Sequence, residues 1–148
     1  MWSEQGIGLT RGVGVGRRDL VGLYDAVGWT GYTRDPEALA RAIAGSSHVV
    51  TAMRGDQLVG LARCVSDDVS IAYIQDIIVA PTCQRMGLGR ALVLDCLERY
   101  AHVRQLVLLT DDRPEQLAFY ASLGFSNTRE LVVTRLNAFV RIAGIDLS

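Results

Sequence analysis

One stretch constrains this chain more than any other: Ile74 to Tyr100, IQDIIVAPTCQRMGLGRALVLDCLERY. The β-branched run from Ile74 to Val79 reads as a strand, Pro81 breaks it, and the residues after Gly87 read as an amphipathic helix. Between them lies the turn Gln84-Arg85-Met86-Gly87-Leu88-Gly89-Arg90. Strand, glycine turn and helix in that order make an anion site. The first helical turn carries backbone N–H groups without intrahelical partners, and the macrodipole adds partial positive charge there. Gly87 and Gly89 lack the Cβ atoms that would hold a bulky anion away from those donors. A pyrophosphate is the expected occupant.

Two phosphate loops are excluded by their own requirements. A P-loop places Lys and then Ser or Thr after its last glycine, whereas this turn has Arg90-Ala91 and the chain contains no lysine. A dinucleotide fingerprint needs three glycines spaced G-x-G-x-x-G, and after Gly87 and Gly89 no third follows, Leu92-Val93 standing there instead. The glycine-dense segment from Gly6 to Gly16 also fails as a phosphate loop. Its glycines alternate with valine at strand period, so it reads as a first strand.

The turn resembles the acyl-CoA signature of the GNAT superfamily of N-acetyltransferases, (Gln or Arg)-x-x-Gly-x-(Gly or Ala), through Gln84, Gly87 and Gly89. Val79-Ala80-Pro81 is similar to that family's strand exit. A second block, Phe119-Tyr120-Ala121-Ser122-Leu123-Gly124-Phe125, resembles the family's tyrosine four residues before Gly-Phe. The likeness is strong from about Val49 to Phe125 and looser at both ends. It implies acetyl-CoA as cosubstrate, no metal, and direct attack of a primary amine, small molecule or peptide, on the thioester. By the same resemblance, the backbone from Arg85 through Met86, Gly87, Leu88 and Gly89 to Arg90 would hold the diphosphate, with Gln84 and Arg85 side chains adding to it. The pantetheine arm would lie along the fourth strand, at Ile77, Ile78 and Val79, where a parallel pair parts near Val79 and Leu108. Main-chain groups freed there would bind the arm as an added strand does and could stabilise the oxyanion.

The resemblance further implies Tyr120 as the acid that protonates the leaving thiolate. Asp76, eight residues before Gln84, occupies a strand position where some relatives place a catalytic carboxylate; others use a water chain. An acidic residue in an otherwise apolar strand is unusual, so Asp76 is either a base tuned by burial or a hydrogen-bonded structural group. In a regular strand Gln75 and Tyr73 would face away from Asp76, and a bulge would change that. Trp29 and Tyr32, in an aromatic loop between the first two helices, are the implied acceptor-pocket residues. One departure stands out: relatives often carry asparagine seven residues before the tyrosine, where this chain has Arg113. The reading from outside enzymology is an acyl-CoA-binding sensor or partner module without turnover, and transfer of a longer acyl group also fits the motifs.

The rest of the chain reads as α/β and as one domain over residues 1–148. Apolar positions Leu20, Leu23, Tyr24 and Val27 recur at helical spacing, and Asp35-Pro36 starts a second helix that Gly45 stops. Strands from Val49 to Met53, Leu58 to Val65 and Ile71 to Val79, joined by tight turns, predict an antiparallel meander. Leu106 to Thr110, Glu130 to Arg135 and Ala138 to Ile142 are further strands, and a last helix begins at Asp111-Asp112-Arg113-Pro114. The expectation is a GNAT-like fold: a mixed, mostly antiparallel sheet of six to seven strands flanked by about four helices. An apolar final strand around Phe139 would offer an edge for a homodimer.

Composition excludes several partners. Net charge is −1 with no Arg-rich run, so a nucleic-acid surface is not expected. No apolar run reaches about 18 residues, so no membrane span is expected. Cys64, Cys83 and Cys96 are odd in number and lack metal-type spacing, and residues 1–10 lack a basic head before an apolar run. Both observations suit a cytoplasmic protein. The acidic pairs Asp67-Asp68 and Asp111-Asp112 read as turn chemistry, with attraction of a cationic acceptor as the alternative.

Overall fold

The computed structural model describes residues 1–148, in two compact units, Met1–Leu109 and Thr110–Ser148. The first holds one five-stranded sheet in the order β1-β2-β3-β4-β5. Its strands are β1 (Ile7–Arg11), β2 (His48–Arg54), β3 (Gln57–Ser66), β4 (Ile71–Val79) and β5 (Gln105–Leu108). The first three pairings are antiparallel, the second and third as the short turns at Gly55 and Asp67-Asp68 require, and β4 to β5 is parallel across a helical crossover. The helices of this unit are α1 (Arg17–Ala26), α2 (Thr30–Thr33), α3 (Pro36–Ala44) and α4 (Leu88–Arg99). Asp35 caps α3 as its sequence predicts, accepting the Ala38 amide at 3.0 Å.

The two faces of the sheet are told apart by Gly60. A Cβ built there would meet Leu92 of α4 at 3.2 Å and Ala52 at 3.1 Å, so α4 lies directly against β2 and β3 at this point. Leu88, Leu92, Val93 and Cys96 of α4 are buried on that face. Leu20, Leu23 and Tyr24 of α1 and Leu39 and Ile43 of α3 supply the core on the other side. Each fully buried aliphatic residue of this kind contributes roughly 1.5–3 kcal/mol.

The second unit carries α5 (Pro114–Ser122) and a single 3-10 turn at Thr128–Glu130. Three expectations are corrected by the structure. The sheet has five strands rather than six to seven, because Glu130 to Arg135 and Ala138 to Ile142 form no strand. Strand propensity reports fit to a half-buried pleated surface, and Val133 and Phe139, each 95% exposed, have no such surface. The strand edge expected around Phe139 for a homodimer is therefore absent. There are five α-helices rather than about four, since the aromatic segment after Trp29 closes one helical turn, too short to leave a periodic signal.

Candidate functional site

A bulge in β4 creates the polar centre of the first unit. In the β3–β4 register Arg63 stands opposite Asp76 and Cys64 opposite Ile74, which leaves Gln75 as an extra residue. Residues directly opposite share a face, and Cys64 shares its face with Gly60, so Ile74 points toward α4. Past the bulge the alternation reverses, and Asp76 points with Arg63 toward α1. A regular strand would have turned Asp76 to the α4 side and Gln75 away from it. Instead both reach one hydroxyl, that of Tyr32.

Asp76 is 2% exposed and fully engaged. Its Oδ2 accepts from Arg63 Nε at 2.6 Å and from Tyr24 Oη at 2.8 Å, and its Oδ1 accepts from Tyr32 Oη at 2.9 Å. Gln75 Nε2 donates to Tyr32 Oη at 3.2 Å, and Arg63 Nη1 to Ser46 Oγ at 3.4 Å. Burial, and then the adjacent Asp76 charge, push the Tyr24 phenol well above its usual range; burial likewise raises Tyr32. Burial opposes the Arg63 charge, but Asp76 more than offsets it, and Arg63 is held above its ordinary value. Trp29 stacks on Tyr32 with ring centroids 6.2 Å apart and planes at 28°, while Tyr24 meets Tyr32 edge-on at 5.0 Å. Trp29, Tyr32 and Asp76 are thus brought together, and they are joined by Tyr24, Arg63 and Gln75, which the motifs did not single out. Arg63 carried a readable signal, a lone charge in the apolar run Leu58 to Val65.

The glycine turn follows from the other end of β4. Gln84 is extended, and its Nε2 donates to the Val79 carbonyl at 3.1 Å, tying the turn to the strand exit. Arg85 adopts φ 63, and the Met86 carbonyl accepts the Trp2 amide at 3.2 Å. Gly87 is the N-cap of α4 at φ 82, a left-handed conformation that L side chains disfavour. No side chain caps this helix and no acidic residue lies in its first turn. A Cβ at Gly89 would meet only Val79 Cγ2, at 3.7 Å, an ordinary contact. The fold itself therefore does not demand glycine at 89, and the space stays open beside the helix start. An uncapped, acid-free N-terminus flanked by Arg85 and Arg90 fits a diphosphate.

Beside that turn, β5 pairs with β4 only from Ile71↔Gln105 to Ile74↔Leu108. The strands part at Ile74, five residues earlier than Val79, so the edge from Gln75 to Val79 has no strand partner on the β5 side. Ile78 is buried and Val79 half-buried along this edge. Its free backbone groups suit an extended, amide-rich chain.

In the second unit, Tyr120 lies on α5, half-buried, with Phe119 edge-on at 5.0 Å and Phe125 at 6.0 Å. The Phe125 amide folds back to the Tyr120 carbonyl across Gly124 (φ 90), which is what the Tyr-x-x-x-Gly-Phe spacing builds. Burial, helped by the Asp111 charge, pushes the phenol up to about 12. Arg113 donates through Nε to Asp111 Oδ2 at 2.8 Å, and Arg129 pairs with Asp112. The other acidic turn is similarly committed: Asp67 Oδ1 accepts the amides of Val69, Ser70 and Ile71, and Asp68 pairs with Arg99 and His102. Cys64, Cys83 and Cys96 are buried free thiols.

Comparison with known proteins identifies the family. The family described as Acetyltransferase (GNAT) domain matches residues 20–141. An uncharacterized N-acetyltransferase of Gracilaria tenuistipitata var. liui is 32% identical over 118 residues, 75% of this chain and 62% of its own length. Serotonin N-acetyltransferase 2, chloroplastic, of Oryza sativa subsp. japonica is 32% identical over 117 residues, 73% of this chain and 56% of its own. The chain thus spans about six-tenths of the length of such relatives. Among solved structures, a GNAT-family acetyltransferase from Streptococcus pneumoniae TIGR4 superposes with a TM-score of 0.77 at 33% identity, covering 92% of this chain and 99% of that one.

Proposed function

The chain belongs to the GNAT acetyltransferase family, and from that premise we propose that it transfers an acetyl group from acetyl-CoA to a primary amine by direct attack. The observation that carries this reading is the uncapped start of α4 behind Gly87, placed next to the unpaired edge of β4. Bound acetyl-CoA supplies the activated thioester. The amides of Leu88 and Gly89, with Arg85, Met86, Gly87 and Arg90 around them, hold its diphosphate, and Gln84 keeps the turn against Val79. The main chain from Ile77 to Val79 takes the amide-rich arm. Tyr120 protonates the departing sulfur; burial keeps its phenol protonated at neutral pH.

Trp29 and Tyr32 wall the acceptor. Asp76 is 2% exposed and its Oδ1 accepts the Tyr32 hydroxyl proton. In this reading Asp76 acts by fixing Tyr32, and the proton of the incoming ammonium leaves to water. Likeness to a rice protein named for serotonin N-acetylation supports an amine acceptor. No helix is long and apolar enough to cross a membrane, and the three free thiols suit a reducing, cytoplasmic setting. The test is a thermal shift with acetyl-CoA followed by thiol release with a panel of amines. Stabilisation plus amine-dependent release is expected. Stabilisation without release from any amine would instead make the chain an acyl-CoA-binding module, and no stabilisation would end the proposal.

A further inference from the structure

The chain has two tryptophans, and their surroundings differ. Trp29 has ring neighbours in Tyr24 and Tyr32. Trp2 is half-buried, yet its indole meets no aromatic ring of the chain. Its Nε1–H, which can only donate, has no acceptor in the chain either. The buried side-chain N and O atoms without a partner are Arg54 Nε and Tyr100 Oη, so the Trp2 N–H is open to solvent.

This indole stands at the glycine turn. The Trp2 amide donates to the Met86 carbonyl at 3.2 Å, and a Cβ on Gly87 would lie 3.9 Å from Trp2 Cδ1. Beyond the neighbours of Gly87 in the chain, Trp2 is the one residue within 4 Å of that point. The left-handed cap of α4 is thus flanked by an aromatic ring. Main-chain geometry on the other side also fixes Trp2: the 3-10 turn Trp2–Gln5 ends at Gly6 (φ 69) and runs into β1. Strand β1 is the border of the sheet opposite to β5. Trp2 therefore reaches the turn from the border remote from the unpaired edge of β4.

The linear order of the cosubstrate then assigns the contact. Ile77 to Val79 take the arm, and the amides of Leu88 and Gly89 take the diphosphate. What lies beyond the diphosphate is adenosine, and Trp2 is the aromatic side chain beside the turn that meets it. An indole face stacks on a purine, and an outward N–H donates to ring nitrogens or ribose oxygens. Resting on the transferase reading above, we propose that Trp2 binds the adenosine half of acetyl-CoA, with its indole stacked on the adenine ring. It adds affinity for the donor at a distance from the reacting thioester.

The test compares two donors on the full chain by titration calorimetry: acetyl-CoA, and acetyl-phosphopantetheine, which has the same thioester and arm but no adenosine. Trp2→Ala should raise Kd for acetyl-CoA by about tenfold and leave that for acetyl-phosphopantetheine unchanged. Trp2→Phe, which keeps a ring, should fall between parent and Trp2→Ala. A second readout needs no change at Trp2. In a Trp29→Phe chain Trp2 is the sole indole, and its emission should be quenched saturably by acetyl-CoA but not by acetyl-phosphopantetheine. Trp2→Ala that binds acetyl-CoA as the parent does, or that weakens both donors alike, overturns the proposal. Should Trp2→Ala fail to fold, the emission decides, and no quenching by acetyl-CoA, or equal quenching by both donors, overturns it. A parent that binds acetyl-CoA with Trp2 unaffected removes this inference alone. A parent that does not bind acetyl-CoA refutes the transferase reading, and this inference with it.

Discussion

Gly89→Glu separates stability from cofactor binding, because the structure gives the two effects opposite signs. Residue 89 is the second position of α4, after Gly87 as N-cap and Leu88. The backbone there is not left-handed, and a Cβ would make only a 3.7 Å contact with Val79, so a side chain is accommodated. Replacing glycine in a helix with an ordinary residue gains up to about 1 kcal/mol, less in the first turn. A carboxylate near an uncapped N-terminus gains a further ~0.3–1 kcal/mol from the dipole. The sum is roughly 1 kcal/mol, or a melting temperature about 3 °C higher for a chain of this size. The same carboxylate occupies the anion position and repels the diphosphate, so affinity for acetyl-CoA should fall by about 100-fold or more. Calorimetric melting of the free protein and titration calorimetry with acetyl-CoA read the two effects separately. A variant that melts higher yet binds acetyl-CoA as the parent does would refute the assignment of the helix start. A variant that melts lower would refute the description of residue 89 as open.

Arg63→Met should destabilise by about 3 kcal/mol, the low end for breaking a buried pair, since Tyr24 and Tyr32 still donate to Asp76. Urea unfolding at neutral pH measures it, and a loss below about 1 kcal/mol would mean that the pair is solvated. Tyr120→Phe should lower kcat by about 100-fold while leaving acetyl-CoA affinity intact, and equal turnover would remove Tyr120 from the chemistry. Hydrogen bonds from Ser70 and from the Val69, Ile71 and Ser70 amides hold the Asp67 carboxyl well below its ordinary 3.8. A depressed folded-state value stabilises above the unfolded value and is lost as pH falls through the folded one. Asp67→Ala should therefore melt below the parent at neutral pH, with the gap shrinking as pH drops below 3.8; a gap independent of pH would contradict the account.

The glycine turn was legible because its physics is local: a breaker, two glycines and a helix start lie within nine residues, from Pro81 to Gly89. The meander and the Asp35 cap were legible for the same reason. Asp76 could be flagged as an acid in an apolar strand, but its partners could not, since Tyr24 and Tyr32 lie 52 and 44 residues away. The bulge at Gln75 was hidden because a single extra residue leaves no periodic trace, yet it decides which face Asp76 takes. At Leu131-Val132-Val133 the β-branched composition suggested a strand, and composition alone cannot provide the neighbouring strand that a ladder requires.

The most direct measurement is the response of backbone amide resonances to titrated acetyl-CoA. The account predicts that the largest changes fall on Leu88 and Gly89 and their neighbours in the turn, with a second group from Gln75 to Val79. Saturable binding that leaves Leu88 and Gly89 unmoved would contradict it.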